Sequence, residues 1–278
     1  MKKLLLLSAL LIFACSSDDG SNDNNDNNNN SSTKKLASVV TLYPCSWCER
    51  ENSYLSYTND RLTLVEKDYF VTEENGDFMN GGEDNGSGYF IIEYLSNSIR
   101  ITNNNGEIND IPVNSDGSWD NENAVYDNGY LISLSFSDEE EEDTDSSTGN
   151  WEWYNGNLIR TESNNYYNGS LESSTITDIE YTEYDDLTKT IAFSANENSL
   201  GWADVVMNGI LGFYGKSSAK LPYKFTSVQN SIGSDEFTSV LTYSYVFDED
   251  GYPIQVVANQ ETSDGFSRTT RYELTYTN

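Results

Sequence analysis

Apolar and polar residues alternate with a period of two along most of the chain, and this alternation constrains the fold more than any other feature. In residues 237–247, Leu241, Tyr243 and Tyr245 fall on one face of an extended segment, whereas the residues between them form a mostly polar face. A period of two with one polar face is typical of antiparallel strands that are half exposed to water. The same pattern predicts strands in residues 38–42, 62–66, 89–95, 99–102, 130–136, 158–161, 175–182, 223–228 and 271–276.

Short polar turns connect many of these strands. In each of four turns an aromatic residue ends one strand, Asn, Asp or Gly supplies the unusual backbone angles of a tight turn, and an apolar residue or proline opens the next strand. Because hairpin follows hairpin at irregular spacing, we predict an all-β fold built as an antiparallel meander rather than a solenoid or propeller. The four turns lie in residues 57–62, 126–131, 154–158 and 247–253.

One segment has helical rather than strand periodicity, which predicts a single short helix near residues 202–214. Gly209 and Gly212 each weaken such a helix by up to about 1 kcal/mol relative to alanine, so packing must hold it in place. The apolar residues that recur at helical spacing are Trp202, Val205, Val206, Ile210 and Phe213.

The amino end has the pattern of a lipoprotein signal peptide. Two lysines precede an apolar run of ten residues, and Ala14 stands directly before Cys15. The run is shorter than the roughly 20 residues of a membrane-spanning helix, and residues 12–15 resemble a bacterial lipobox. In that type of signal, cleavage precedes the cysteine and its thiol receives diacylglycerol. We therefore predict that residues 1–14 are removed and that Cys15 anchors the chain to a membrane.

A polar tether follows the predicted anchor. Residues 16–20 include two acids and resemble the surface-export signal of Bacteroidota lipoproteins, which predicts an outer-membrane location facing the cell surface. Residues 23–30 are almost purely Asn and Asp and cannot bury enough apolar area to fold. We therefore predict a lipidated, flexible tether over residues 15–34 and a single β-domain over residues 35–278.

The charge of the chain excludes several functions. The sequence has 46 acids and 15 bases, a formal net charge of −31, whereas nucleic acids and anionic lipids are bound through Lys and Arg. There is no histidine, so the usual acyl-transfer base and the commonest transition-metal ligand are missing. We predict no cofactor and a non-enzymatic binding or scaffold role. The alternative is an extracellular hydrolase that uses two carboxylates, as glycosidases do, although no spacing selects a pair.

Longer stretches resemble a known family. They are the Tyr-Asp hairpins, IEYTEYDD at residues 179–186, GILGFYGKSSAKLPYKF at 209–225 and YSYVFDEDGYPIQV at 243–256. Together they resemble a Bacteroidota lipoprotein family of unknown function with a porin-like fold, over roughly residues 53–276. The resemblance implies a curved antiparallel sheet or a closed or nearly closed barrel, and it brings no catalytic residue. Polar exposed faces, instead of a lipid-facing apolar band, argue against a membrane-spanning pore.

Two cysteines form a Cys-x-x-Cys motif at Cys45 and Cys48. Haem attachment needs histidine at residue 49, which is Glu, and zinc needs further soft ligands, although the only other cysteine is Cys15. A structural disulfide is the leading interpretation. A redox-active dithiol at a helix start and two free thiols remain open.

Two further features have both a functional and a structural interpretation. The acidic run at residues 138–145 is expected to be a solvated loop that attracts divalent cations weakly, because no ordered calcium-binding loop is present. Trp151 and Trp153 lie on the same side of one predicted strand, where they either pack as core or form a stacking platform for sugar rings. Extracellular glycan is accordingly the first candidate ligand.

Overall fold

The computed structural model describes residues 34–43, 48–72, 86–140, 143–181, 210–212 and 214–277. In these ranges fifteen strands form one antiparallel sheet, which confirms the all-β prediction. The strands are β1 (Lys35–Tyr43), β2 (Cys48–Thr58), β3 (Arg61–Thr72), β4 (Gly86–Tyr94), β5 (Ser98–Asn103), β6 (Ile108–Pro112), β7 (Ala124–Asp127), β8 (Tyr130–Glu140), β9 (Asp143–Tyr154), β10 (Asn157–Tyr167), β11 (Ser170–Tyr181), β12 (Pro222–Ser231), β13 (Phe237–Phe247), β14 (Pro253–Thr262) and β15 (Ser267–Thr277).

The first and last strands of the sheet are neighbours. Strand β1 pairs with β2 on one side and with β15 on the other, and both pairings are antiparallel. Two meanders, β1–β6 and β7–β15, are therefore joined in the middle of the sheet, and its two edges are β6 and β7. The edge strands follow each other in sequence but are not paired.

The directions of the strands explain why the sheet does not close by an antiparallel β6–β7 pair. Five antiparallel pairings lead from β1 to β6, and nine lead from β1 through β15 to β7. Both counts are odd, so β6 and β7 each run opposite to β1 and in the same direction as each other. A ring with an odd number of strands cannot be antiparallel throughout.

The connection between the edges, residues 113–123, makes hydrogen bonds to both meanders. On the β6 side, the Asp120 N–H donates to the Pro112 carbonyl (2.9 Å), and the Val113 N–H donates to the Asn97 carbonyl (3.0 Å). On the β8 side, the Ser135 N–H donates to the Asn123 carbonyl (3.2 Å). The seam is therefore spanned by an irregular segment of the chain.

The predicted tight turns are confirmed. Asn155 and Gly156 join β9 to β10 with φ angles of 49° and 75°, and two positive φ angles in succession match the right-handed twist of a hairpin. The Asn59–Asp60, Asn128–Gly129 and Asn168–Gly169 turns share this conformation. The local sequence therefore specifies these hairpins directly.

One face of the sheet carries the hydrophobic core, and we call it the inner face. Val39, Leu274, Tyr272 and Val256 are cross-strand or same-face neighbours on β1, β15 and β14, and all are nearly inaccessible to solvent. The core continues as one cluster from β1 to β5 and from β10 to β15. No second sheet covers this face in the described residues, so we infer that the sheet curves around it. The opposite face is the outer face.

Residues 214–221 cover one end of the inner face, which we call the capped end. Their backbone N–H groups reach two hairpin turns, because Lys216 donates to the Gly129 carbonyl (2.7 Å) and Ala219 donates to the Gly156 carbonyl (2.9 Å). Ser218 is buried, and its hydroxyl accepts a hydrogen bond from the Leu158 N–H (3.2 Å). The turns at residues 168–169, 232–236 and 263–266 define the opposite end, which we call the far end.

The predicted helix lies mostly outside the described residues. Ile210 and Leu211 have helical conformation and Leu211 is buried in the core, whereas residues 202–209 and Phe213 are not described. None of the helices in the described ranges has the length and hydropathy required to cross a bilayer.

The expectation of a solvated loop at residues 138–145 is wrong in part. Strand β8 continues to Glu140 and β9 starts at Asp143, so the described part of the acidic run is extended and paired, with Asp138 opposite Asp145. The cost of placing like charges opposite each other is only about 0.2–1 kcal/mol per pair, which strand pairing can outweigh.

The capped end supplies a stability prediction at Gly215. This residue has a φ of 79°, and an added Cβ would collide with the Gly129 carbonyl oxygen, the acceptor of the Lys216 N–H. Gly233 is a matched control, because its φ is 76° and nothing lies within 4 Å of its Cβ position. Gly233→Ala should lose about 1 kcal/mol of unfolding free energy through backbone strain. Gly215→Ala should lose at least about 2 kcal/mol more, measured by urea denaturation. Equal losses would contradict the proposed contact.

Candidate ligand-binding face

The side chains of the inner face differ in size, burial and polarity between the capped end and the far end. Near the capped end it carries large buried residues such as Leu62, Leu131 and Leu158. Towards the far end it carries hydroxyl and amide residues that are only partly buried, such as Ser163 and Thr175. Closed barrels of about 16–18 strands enclose more space than side chains can fill, and this sheet has fifteen strands in the described part of the chain. The far half of the inner face is therefore the best candidate for binding a ligand.

Trp153 lies on the inner face and packs against Tyr130 and the core. Its ring is 4.6 Å from that of Tyr130, centroid to centroid, and its indole N–H donates to the Leu131 carbonyl (2.8 Å). It is half-buried and packs against the core. The indole nitrogen of Trp153 is therefore already hydrogen-bonded within the fold.

Trp151 lies two residues earlier on the same face of β9, and its ring lies along the strand towards the far end. A Cβ added to Gly149 would be 2.5 Å from the Cη2 atom of this indole, so the ring covers Gly149 closely. Trp151 is half-buried and also contacts the core. Of the two tryptophans, Trp151 is the one that extends towards the polar half.

Few inner-face positions are charged outside the far ends of β8 and β9, where register places Asp138, Glu140, Asp143 and Asp145 on this face. Among its paired positions with described side chains, only Glu51, Lys67, Asp145 and Arg268 are charged. Glu51 and Lys67 neutralise each other, with 3.2 Å between Oε1 and Nζ. The two acids with described side chains, Glu51 and Asp145, lie on β2 and β9, which are not neighbouring strands. The described residues also contain no cluster of three or more potential metal ligands.

Tyrosines surround the capped end and hold its main chain, a feature that sequence analysis did not identify. The hydroxyls of Tyr181, Tyr245 and Tyr276 donate to the carbonyls of Leu158 (2.7 Å), Pro222 (2.5 Å) and Pro253 (2.7 Å). The aromatic residues before the hairpin turns were the available sequence signal.

Burial raises the pKa of several tyrosine hydroxyls near the capped end. It raises the pKa of Tyr57 to about 12, with a smaller contribution from Tyr94, and it raises the pKa of Tyr126 to about 12. Burial is also the main reason that the pKa of Tyr276 lies above its ordinary value, and the charge of Asp248 adds to it. These phenols therefore stay neutral at physiological pH, and the Tyr276 hydroxyl acts as a hydrogen-bond donor to the Pro253 carbonyl.

Lys34 fixes the point at which the predicted tether joins the sheet. Its ammonium contacts Asp248 (2.9 Å) and Asp250 (2.5 Å) in the β13–β14 turn, and its backbone N–H donates to the Tyr252 hydroxyl (3.0 Å). Hydrogen bonds to Asp250 and then to Asp248 raise the pKa of Lys34. Burial opposes ionisation of Asp248, but hydrogen bonds from Lys34 and two backbone N–H groups outweigh it and lower the pKa of that carboxyl. Lys34, the first described residue, therefore lies at the capped end.

The cysteine predictions fall largely outside the described residues. Cys15 and Cys45 are not described, so lipidation and a Cys45–Cys48 disulfide stay predictions. Cys48 is the first residue of strand β2. This position does not provide the helix start that a thioredoxin-like redox pair requires.

Comparison with known proteins supports the fold. No protein-family profile and no curated protein sequence matches the chain. The crystal structure of a porin-like protein from Bacteroides uniformis aligns with 87% of this chain and 98% of its own, with a TM-score of 0.51 and 12% identity. A porin-like protein from Bacteroides vulgatus aligns with 88% of this chain and 99% of its own, with a TM-score of 0.38 and 11% identity. The first likeness shows a porin-like fold.

Proposed function

We propose that this chain is a non-enzymatic lipoprotein, anchored in the outer membrane through Cys15, whose sheet stands in water at the cell surface and binds extracellular glycan on its inner face. The porin-like fold is compatible with an outer-membrane protein, and the amino-terminal sequence supplies a means of attachment. The observation that carries the proposal is the contrast, among the described side chains of strands β10–β14, between a charged outer face and an uncharged inner face.

Ion pairs on the outer face argue that the strands do not lie in lipid. Arg100 and Asp110 pair across β5 and β6, with 2.7 Å between Nε and Oδ1. On the other meander, Arg160 pairs with Asp178 (3.0 Å) and Lys224 pairs with Glu180 (2.8 Å). A single Arg or Lys facing lipid at the bilayer midplane costs about 2–4 kcal/mol. Membrane attachment is accordingly assigned to the acylated tether rather than to the sheet.

The position of Lys34 favours an outward-facing binding surface. The predicted tether joins the sheet at the capped end, where residues 214–221 cover the inner face. A chain moored from this end can present the far half, with its hydroxyl and amide groups, to the surroundings of the cell. Trp151 lies at the boundary between the core and this polar half, where one indole face can stack on a sugar ring.

The anchor leads to a prediction at Cys15. In the expressing cells, the amino-terminal peptide of the mature wild-type chain should carry diacylglycerol on Cys15, detected by mass spectrometry. Cys15→Ser should abolish this mass increase and move the protein out of the detergent-rich phase, whereas Cys45→Ser should leave both unchanged. An unmodified Cys15 in the wild-type chain would contradict the anchor.

The glycan proposal leads to a prediction at Trp151. If the indole stacks on a sugar, Trp151→Ala should weaken glycan binding by about tenfold, measured by titration calorimetry on ligands selected from a glycan array. Tyr154→Ala on the same strand is the matched control, because this ring is 65% exposed and its position, directly after Trp153, lies on the outer face. Undiminished glycan binding by a correctly folded Trp151→Ala, Trp153→Ala double variant would contradict the proposed stacking platform.

A further inference from the structure

Uncharged polar side chains form two adjoining rows across the far half of the inner face. Register places each residue of a row directly opposite the next on the neighbouring strand, so a row runs perpendicular to the strands. The rows are Ser163–Thr175–Gln229 on β10–β12 and Ser227–Ser239–Thr262 on β12–β14. We call these six residues the polar rows.

Trp151 adjoins the polar rows directly. Gly149, which its indole covers, is the cross-strand partner of Ser163 at the start of the first row. Trp151 itself continues the second row through Thr161 and Thr177, and the Thr177 and Ser227 hydroxyls are hydrogen-bonded (2.8 Å). An aromatic surface and a set of hydroxyl and amide groups are therefore continuous on one face.

Charged residues on strands β10–β14 are segregated to the outer face. At the paired inner-face positions of β10–β14, no described side chain is charged. Register places Asp143 and Asp145 of β9 on the inner face, opposite Glu140 and Asp138 of β8. Arg268 of β15 lies opposite Gln260. The outer face of β9–β14 carries Glu152, Arg160, Glu162, Asp178, Glu180, Lys224 and Glu261. Because most inner-face positions of β10–β14 are partly buried, charge is costly there, whereas the hydroxyl and amide groups that occupy them can form hydrogen bonds with an uncharged partner.

Gln260 supplies an independent observation beside the second row. Its side-chain N–H donates to the Ser239 hydroxyl (3.0 Å). Its Oε1 atom is buried and accepts no hydrogen bond from the described part of the chain. A buried acceptor without a donor costs about 1–3 kcal/mol, and a ligand hydroxyl that reaches this oxygen after the Gln260 side chain rotates would relieve that cost.

We infer that the polar rows bind an uncharged polyhydroxylic chain, a neutral oligosaccharide, which lies across strands β9–β14 from Trp151 towards Gln260. This inference rests on the proposed function and specifies its ligand class and contact residues. Strands are about 4.8 Å apart, so a ligand that crosses them meets a new hydroxyl or amide at each step. Each Ser or Thr hydroxyl can both donate and accept, as a sugar hydroxyl can. Anionic glycans are disfavoured by the charge of the chain.

The test compares inner-face and outer-face variants of the full mature chain. Ser163→Ala with Thr175→Val removes two hydroxyls from the first row and leaves Trp151 intact. Thr148→Val with Ser174→Ala is the matched control, because these residues lie on the outer face of β9 and β11 beside the same positions. The probes are neutral glucan, mannan and xylan hexasaccharides and an anionic oligogalacturonate, measured by titration calorimetry.

We expect the wild-type chain to bind at least one neutral hexasaccharide and to bind oligogalacturonate at least tenfold more weakly. The inner-face variant should bind about 30-fold more weakly, equivalent to about 2 kcal/mol for two hydrogen bonds, and the outer-face variant should bind like the wild type. Binding that depends on Trp151 but not on the two hydroxyls, or a preference for the anionic probe, would overturn this inference and leave the proposed function standing. No binding of any probe by the wild-type chain would overturn both.

Discussion

The pairing of the first strand with the last determines the rest of the structure. It joins the two meanders in the middle of the sheet and leaves β6 and β7, which follow each other in sequence, as its edges. Because those edges run in the same direction, an antiparallel seam is impossible, and residues 113–123 span the gap with a few hydrogen bonds of their own. The long-range β1–β15 pairing thus defines which side chains share the inner face.

The two faces of the sheet differ in charge and in burial. The outer face carries cross-strand ion pairs such as Arg160–Asp178, which suit water and not lipid. The inner face carries the core at its capped end and neutral hydroxyl and amide groups at its far end. Lys34, held by Asp248 and Asp250, places the predicted tether at the capped end. Our proposal places attachment and binding at opposite ends of the same sheet, with a porin-like fold serving as a scaffold in water.

Local features of the fold could be predicted from sequence, whereas long-range features could not. The period-two segments and the Asn-Gly turn at Asn155–Gly156 encode strands and hairpins within a few residues, and both were predicted correctly. Edge strand β6 has five residues and no clear alternation, and the acidic start of β9 has the composition of a loop. Their pairing depends on neighbouring strands, which one sequence does not reveal. The polar rows could not be found either, since they are contiguous only through cross-strand register.

The most direct test of this account is disulfide cross-linking between β1 and β15, in a chain whose native cysteines are replaced by serine. Val40 and Glu273 are cross-strand neighbours, so Val40→Cys with Glu273→Cys should form an intramolecular disulfide on mild oxidation. Val257 lies one strand further away, on β14, and Val40→Cys with Val257→Cys should remain reduced. Failure of the first pair to cross-link, or equal cross-linking of both pairs, would contradict the strand order on which the inner face depends.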